Sequence, residues 1–130
     1  MQAPLIGIDL IEPERLRRKL GRSPGLANRL FHAGELAYCR AQAVPERHLA
    51  ARFSAKEAVT KALGLEVFAP LDVEVSDGAA SCDVRLHGRA ASRAGELGVA
   101  VTVSLTHLAA LAGAVALARP ASDSTDPRPR

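Results

Sequence analysis

A long helix is predicted in the middle of the chain, over residues 45–63. Pro45 suits the first position of a helix, where its missing amide hydrogen costs nothing, and the following residues are mostly good helix formers. Gly64 comes directly after the segment, and glycine commonly ends a helix at that position. After Gly64 apolar and polar residues alternate on both sides of Asp77 and Gly78, which is typical of a hairpin of two strands.

Shorter elements are predicted before the long helix. The apolar run over 5–11 reads as a buried strand. A basic helix over 13–21 follows it, and further helical segments cover about 24–31 and 34–42.

The end of the chain completes an α+β pattern. A short helix over 88–97 and two apolar strands, 99–105 and 111–118, follow the hairpin. The order of strand, helices, strands, helix and strands predicts one α+β domain over residues 1–118. Residues 119–130 are rich in Pro, Ser, Asp and Arg and are predicted to form a disordered tail.

Length and composition exclude several classes of protein. A chain of 130 residues is expected to form a single domain, and no apolar run reaches the ~20 residues that a membrane helix needs. The first residues lack the pattern of a secretory signal. Cys39 and Cys82 are too few and too far apart to indicate a disulfide scaffold or a zinc site. We therefore expect a cytoplasmic protein with reduced thiols and no membrane partner.

The apolar residues are small. Aromatic residues make up 3% of the chain, and much of the apolar fraction is alanine, whose burial contributes only on the order of 0.8 kcal/mol per methyl group. Such a core is thin, so either the helices pack very closely or a subunit interface adds buried area. This observation hints at an oligomer.

Asp9 is an acidic residue inside an apolar strand. A buried carboxylate is costly unless it is paired, hydrogen-bonded or bound to a cation. The composition of the strand leaves two readings open with about equal weight, an acid that caps the next element and a ligand in a site.

On the long helix Ala50, Phe53, Glu57 and Lys61 share one face. An acid beside Phe53 is unusual on a solvated face. The ordinary explanation is an i, i+4 pair of Glu57 with Lys61, worth roughly 0.3–0.5 kcal/mol, and the spacing alone favours it over a site.

A third group stands near the end of a strand, in the run from Val103 to His107. A single histidine at a strand end is more often structural than catalytic. The two cysteines likewise read as small buried apolar residues without special reactivity.

The predicted helix over 13–21 is strongly basic. Four cations recur at i, i+3, i+4 and i+7 and form one stripe: Arg15, Arg18, Lys19 and Arg22. A charge run is commonly a solvated face, but the near absence of acids favours a surface for an acidic partner equally. A nucleic-acid-binding domain is disfavoured because no aromatic residue interleaves with the stripe.

Taken together and in order, three segments resemble those of one enzyme family. The segments are Gly7-Ile8-Asp9-Leu10-Ile11-Glu12, then Arg52-Phe53-Ser54-Ala55-Lys56-Glu57-Ala58-Val59-Thr60-Lys61-Ala62-Leu63-Gly64, then Val103-Ser104-Leu105-Thr106-His107. The chain resembles holo-[acyl-carrier-protein] synthase, the small trimeric class of 4′-phosphopantetheinyl transferases, over residues 5–118. The resemblance implies an antiparallel sheet packed on a long helix, in a homotrimer. It also implies transfer of the phosphopantetheine arm of coenzyme A to a serine of an acyl carrier protein, with release of adenosine 3′,5′-bisphosphate.

The resemblance also implies roles for individual residues. Asp9 and Glu57 correspond to ligands of Mg²⁺, and Lys61 corresponds to the catalytic lysine at the pyrophosphate. The base for the attacking serine is Glu57 or a metal-bound water. Arg52 and His107 correspond to contacts near the coenzyme's 3′-phosphate, with Ser104 and Thr106 beside them.

The basic stripe has a counterpart in the family as well. Arg15 corresponds to a contact with the carrier protein, and Arg18, Lys19 and Arg22 extend that surface. In family trimers the coenzyme lies at subunit boundaries, so Arg52 or His107 can serve a neighbour's site. The run of small residues over 112–116 is compatible with packing between subunits and equally with an ordinary interior.

The sequence departs from the family after the long helix. A Gly-Thr-Gly loop is replaced by Leu65-Glu66-Val67-Phe68-Ala69-Pro70, and a Gly-Lys-Pro turn between the middle strands is missing. The divergence leaves a second reading open, a relative that binds a carrier protein or an acyl-thioester without transferring the arm. It also leaves open whether the carrier belongs to a fatty-acid or a polyketide pathway.

Overall fold

The structure, a computed structural model, describes residues 5–77 and 82–121. Within these residues the chain forms five strands and five helices. In chain order they are β1 (Ile6–Ile11), α1 (Pro13–Arg22), α2 (Leu26–Leu30), α3 (Ala33–Arg40), α4 (Pro45–Ala62), β2 (Val73–Asp77), β3 (Cys82–Leu86), α5 (Gly88–Leu97), β4 (Val99–His107) and β5 (Ala112–Pro120). A short 3-10 helix, Pro70–Asp72, leads into β2. The predicted α+β order is confirmed.

The strands form two antiparallel sheets. The larger one has the strand order β1-β5-β4, and the smaller one pairs β2 with β3 as predicted for the hairpin. The turn expected at Gly78 lies outside the described residues. In the larger sheet Ala114 of β5 lies opposite Asp9 on one side and Leu105 on the other. Helix α4 packs across this sheet, so the fold is the expected antiparallel sheet on a long helix.

Helix α4 ends where the sequence predicts, and the backbone explains why. Gly64 has a φ of +66°, which glycine adopts without a steric penalty. The Gly64 amide donates to the Lys61 carbonyl and the Leu65 amide to the Thr60 carbonyl, both at 3.0 Å. This is the Schellman arrangement, which satisfies two carbonyls at the helix end.

The contact between α4 and β1 is very close. A Cβ placed on Gly7 would lie 2.0 Å from the Ala58 carbonyl oxygen, so only glycine fits at this crossing. Seven of the eleven buried residues in the core around α4 and the sheet are alanines. Close packing of small side chains is therefore one way in which this chain builds a core from little apolar volume.

The two faces of the larger sheet differ. Alternate residues of β5 from Ala112 to Ala118 are buried beneath α4, so the small-residue run belongs to an ordinary interior. The opposite face exposes large apolar side chains on β1 and β5: Ile6, Ile8, Leu10, Val115 and Leu117, with exposures of 57, 61, 62, 39 and 41%. This open face is an apolar surface without a covering layer in the described chain.

A buried ion pair joins α3, α4 and β2. The Lys56 ammonium lies 2.9 Å from a Glu35 carboxylate oxygen, and both side chains are almost completely buried. Glu35 also accepts hydrogen bonds from the amides of His32 and Val75, and Lys56 donates to the carbonyls of Pro70 and Val73. Burial lowers the pKa of Lys56, and Glu35 partly opposes that change. The partners of each charge offset part of the cost of burying the pair.

The predicted domain boundary falls inside β5. That strand continues through Pro120, two residues beyond the predicted end of the domain, and residues 122–130 of the predicted tail lie outside the described residues. No helix in the described part of the chain has the length and apolar character that crossing a membrane requires.

Candidate active site

Asp9 and Glu57 line the same cleft. The cleft has a volume of about 380 Å³ and lies between β1, α1 and α4. Arg15 and Lys19 of α1 and Phe53 of α4 also line it. Two carboxylates 48 positions apart in sequence therefore share one pocket with two cations.

The close crossing of β1 and α4 positions these groups. Gly7, Asp9 and Ile11 alternate toward α4, while the residues between them point to the open face of the sheet. Because Gly7 lets the helix backbone approach, Asp9 is brought beside the turn of α4 that carries Glu57 and Lys61. The carboxylate of Asp9 is largely shielded, with a side-chain exposure of 19%.

Lys61 reaches across from α4 to β1. Its ammonium lies 3.3 Å from Asp9 Oδ1 and donates to the Ile8 carbonyl at 3.0 Å. The ion pair therefore joins two elements, and the simple i, i+4 pair with Glu57 does not by itself explain the arrangement. The Lys61 side chain is 55% exposed and thus remains accessible to solvent.

The electrostatics of Glu57 show a surplus of negative charge. Burial raises the pKa of Glu57 first, the Asp9 carboxylate raises it further, and Lys61 partly opposes the change. Carboxylate oxygens are the ligands that a hard divalent cation such as Mg²⁺ prefers. Asp9 pairs with Lys61 and shares a cleft with Glu57, so it is not a simple cap of the next element.

The stripe on α1 divides into two parts. Arg15 and Lys19 face the cleft, whereas Arg18 lies 3.4 Å from Glu14, and Arg22 is exposed at the end of the helix. Hydrogen bonding from Arg17 is the main reason that the pKa of Glu14 falls to about 2. Glu14 is thus neutralised by its own helix, which leaves the cleft side of α1 positively charged.

An apolar groove adjoins the cleft. It shares Ile11, Arg15, Lys19 and Phe53 with the cleft and is lined further by residues of α1, of α2 and of the segment after α4: Leu16, Leu26, Leu30 and Phe68. Phe68 packs edge-on against Phe53 with ring centroids 5.5 Å apart. The segment that replaces the family's glycine-rich loop therefore forms part of this groove.

Arg52 and His107 belong to a second cluster. Arg52 is buried with its guanidinium carbon 4.4 Å from the centre of the Tyr38 ring, and His48 links Tyr38 to His107 through ring contacts of 6.1 and 4.8 Å. Because Arg52 and Glu57 are five positions apart, they lie about 140° apart around α4. In one chain this cluster therefore lies on a different side of the helix from the Asp9 cleft.

The side chains of Ser104 and Thr106 face away from the side chain of His107. Both point to the open face of the sheet, whereas His107 contacts His48 on the α4 side. Within one chain these side chains are separated because successive strand residues face opposite sides, and their expected place near the coenzyme stays a prediction.

Several residues near the candidate site were not anticipated. Tyr38 and His48 complete the second cluster, and Phe68 lines the groove. For His48 a signal was present, since it precedes Arg52 by four positions on the predicted helix and shares its face. For Tyr38 and Phe68 only the tertiary contacts bring the side chain to the site.

Comparison with known proteins identifies the family. The model of the 4′-phosphopantetheinyl transferase superfamily matches residues 5–113 of this chain. A holo-[acyl-carrier-protein] synthase of Moorella thermoacetica is 49% identical over 115 residues, covering 85% of this chain and 90% of that protein.

Solved structures agree in fold. The synthase of Neisseria meningitidis has a TM-score of 0.78 at 25% identity, covering 91% of this chain and 99% of that one. The Helicobacter pylori synthase in complex with coenzyme A has a TM-score of 0.75 at 22% identity, covering 88% and 99% of the two chains. With the family match over most of the sequence, the chain belongs to the 4′-phosphopantetheinyl transferase superfamily and, within it, to the holo-[acyl-carrier-protein] synthases.

Proposed function

We propose that the protein transfers the 4′-phosphopantetheine arm of coenzyme A to a serine of an acyl carrier protein in the cytoplasm and releases adenosine 3′,5′-bisphosphate. The observation that carries the proposal is the cleft shared by Asp9 and Glu57, with Lys61 paired to Asp9, in a chain 49% identical to a holo-[acyl-carrier-protein] synthase. The repurposed relative that does not transfer the arm is disfavoured because all three groups are present and adjacent.

Asp9 and Glu57 are the residues that would hold Mg²⁺. The fit is supported by their shared cleft and by the raised pKa of Glu57, which is caused first by burial and then by repulsion from Asp9 that a bound cation would relieve. When bound, Mg²⁺ would neutralise negative charge on the diphosphate.

The chain's own groups account for the remaining chemistry. The serine oxygen forms a bond to the pantetheine-side phosphorus, and the bond from that phosphorus to the bridging oxygen breaks. Glu57 is a candidate acceptor for the hydroxyl proton because its carboxylate lines the cleft. Lys61 would stabilise the negative charge left on the departing oxygen, since its ammonium lies 3.3 Å from Asp9, a residue that lines the cleft.

The binding surfaces follow from the charge distribution. Arg15, Arg18, Lys19 and Arg22 would contact the acidic carrier protein along α1. The cluster of Arg52 and His107 would contact the 3′-phosphate region of the coenzyme. Its separation from the Asp9 cleft in one chain supports a site completed by a neighbouring subunit, with Ser104 and Thr106 on the face that a neighbour covers.

A homotrimer is the proposed assembly. The open face of the larger sheet exposes three isoleucine and leucine side chains of β1 by more than half, and burial of this face would be favourable in water. Analytical ultracentrifugation should give a trimer for the wild type and smaller species for Ile8→Asp. A stable wild-type monomer at micromolar concentration would contradict the assembly.

Loading of a carrier protein tests the function. Mass spectrometry should show the phosphopantetheine mass gain with coenzyme A, and its loss on chelation or in Asp9→Ala and Glu57→Ala. Asp83→Ala, an exposed acid on β3, is the matched control and should load normally. Failure of the wild type with several carrier proteins, together with no coenzyme A binding in calorimetry, would contradict the proposal.

A further inference from the structure

His32, Glu74 and His87 meet on the side of the molecule formed by α3, β2 and α5. His32 directly precedes α3, Glu74 lies on β2, and His87 directly precedes α5. Strand β1 and helices α1 and α4, which carry the acids and cations of the candidate active site, contribute none of these three residues. The cluster therefore needs an explanation of its own.

The three side chains are arranged as a ligand set. One donor atom from each lies within 4.8 Å of the donor atoms of the other two. His87 Nε2 is 2.9 Å from Glu74 Oε1, and the two imidazole rings are 5.3 Å apart. Ligand atoms on a tetrahedral zinc ion are about 3.3 Å apart, as follows from bonds of about 2.0–2.1 Å. Small side-chain movements would thus bring all three atoms to bonding distance.

The surroundings of the cluster orient its side chains. The Leu71 carbonyl oxygen lies 2.8 Å from His32 Nε2, as backbone carbonyls commonly do for histidine ligands. The His32 side chain also accepts the amide hydrogen of Glu35 in the capping box of α3, and a metal bound at the other ring nitrogen would replace that bond. All three residues are half-buried, which leaves room for a solvent ligand in a further position.

We propose that His32, Glu74 and His87 form a binding site for Zn²⁺ or a similar first-row transition metal ion. Two imidazoles with one carboxylate suit such an ion, whereas Mg²⁺ prefers oxygen ligands. The cysteine pattern gave no sign of zinc because the ligands come from residues 42 and 13 positions apart that only the fold brings together. Bound metal would tie α3, β2 and the start of α5 to one another.

The site lies next to the buried ion pair. The amide of His32 donates to Glu35, the same carboxylate that binds Lys56 and the amide of Val75 beside Glu74. A metal that holds His32 and Glu74 would therefore brace both ends of this buried cluster. Because the metal binds the folded chain and not the unfolded one, it would raise the stability of the fold.

Calorimetric titration with Zn²⁺ tests the proposal on chelator-treated, full-length protein. The titration is done in excess Mg²⁺, which occupies the acidic cleft. We expect uptake of one Zn²⁺ per chain and a rise in the thermal midpoint of the wild type. His87→Gln and Glu74→Gln should weaken the uptake at least tenfold, and His48→Gln, in the other histidine cluster, should not.

Cobalt provides an independent readout. Co²⁺ in place of Zn²⁺ should give visible absorption from a low-coordinate site in the wild type, absent in His87→Gln. The proposal is overturned if the wild type takes up no Zn²⁺, or if uptake is as strong in His87→Gln and Glu74→Gln. It is also overturned if uptake disappears with Asp9→Asn. None of these readouts depends on loading of a carrier protein, so they do not test the proposed transferase activity.

Discussion

Replacement of Gly7 by alanine should damage the active site without touching a chemical group. The added Cβ would lie 2.0 Å from the Ala58 carbonyl oxygen, and real Cβ atoms essentially never approach closer than 3.0 Å. Strand β1 and helix α4 must therefore separate by at least the difference, 1.0 Å. Overpacking of this kind costs about 1–3 kcal/mol of folding free energy.

The same displacement acts on catalysis. Asp9 is on β1, and Glu57 and Lys61 are on α4, so the separation moves the candidate magnesium ligands apart and stretches the 3.3 Å contact of Lys61 with Asp9. A misplacement of about 1 Å can reduce a rate about 100-fold. We expect Gly7→Ala to lose activity by a factor of that order under conditions in which it is still folded.

Urea unfolding and carrier-protein loading, measured on the same preparations, check this expectation. Gly95→Ala is the matched control, because a Cβ at Gly95 on α5 meets no atom within 4 Å. It should leave activity unchanged and gain about 0.4–1 kcal/mol. If Gly7→Ala is destabilised and yet fully active, the close crossing does not position the site, and the reasoning is refuted.

Three further outcomes follow from the charges. Lys56→Met should lower the free energy of unfolding, measured in urea, by about 3–5 kcal/mol because it leaves the buried Glu35 uncompensated. An equally large decrease in the double variant with Glu35→Gln would contradict this reason. The pKa of Glu57 is raised in the folded chain above its value in the unfolded chain. Ionisation of Glu57 therefore lowers the free energy of unfolding once the pH exceeds the unfolded-state pKa, and the loss grows as the pH rises through the folded-state pKa. Glu57→Gln should therefore raise the urea midpoint at pH 8 in chelator and lose that gain near pH 4, and a lower midpoint at pH 8 would refute the sign. Arg22→Glu should raise the KM for the carrier protein several-fold at low salt and less at high salt. The KM for coenzyme A should stay unchanged. A change in KM that does not depend on salt would exclude electrostatic steering by the α1 stripe.

The elements of the fold were predictable because local chemistry marks them. Pro45 and Gly64 mark both ends of α4, alternation marks the hairpin, and apolar runs mark the last two strands. The predicted bounds agree with the structure to within a few residues. The α+β class follows directly from their order.

Part of the candidate site was also predictable, and for a different reason. Asp9 and Glu57 are acidic residues with apolar neighbours. A carboxylate in such surroundings has few explanations apart from an ion pair or a bound cation. Their roles were expected from resemblance to the family, however, since spacing alone favoured a cap for Asp9 as much as a ligand. The regular alternation of strand residues, in turn, separates Ser104 and Thr106 from His107.

What the sequence determined by itself is the set of local elements and the identity of the family, because both are written in contiguous segments. Only the tertiary structure decided which distant residues meet. The crossing at Gly7 joins Asp9 to Lys61, the packing of α3 against α4 buries Glu35 with Lys56, and the ends of three elements bring His32 and His87 to Glu74. These contacts depend on the distance and angle between elements, which no periodicity along the chain encodes.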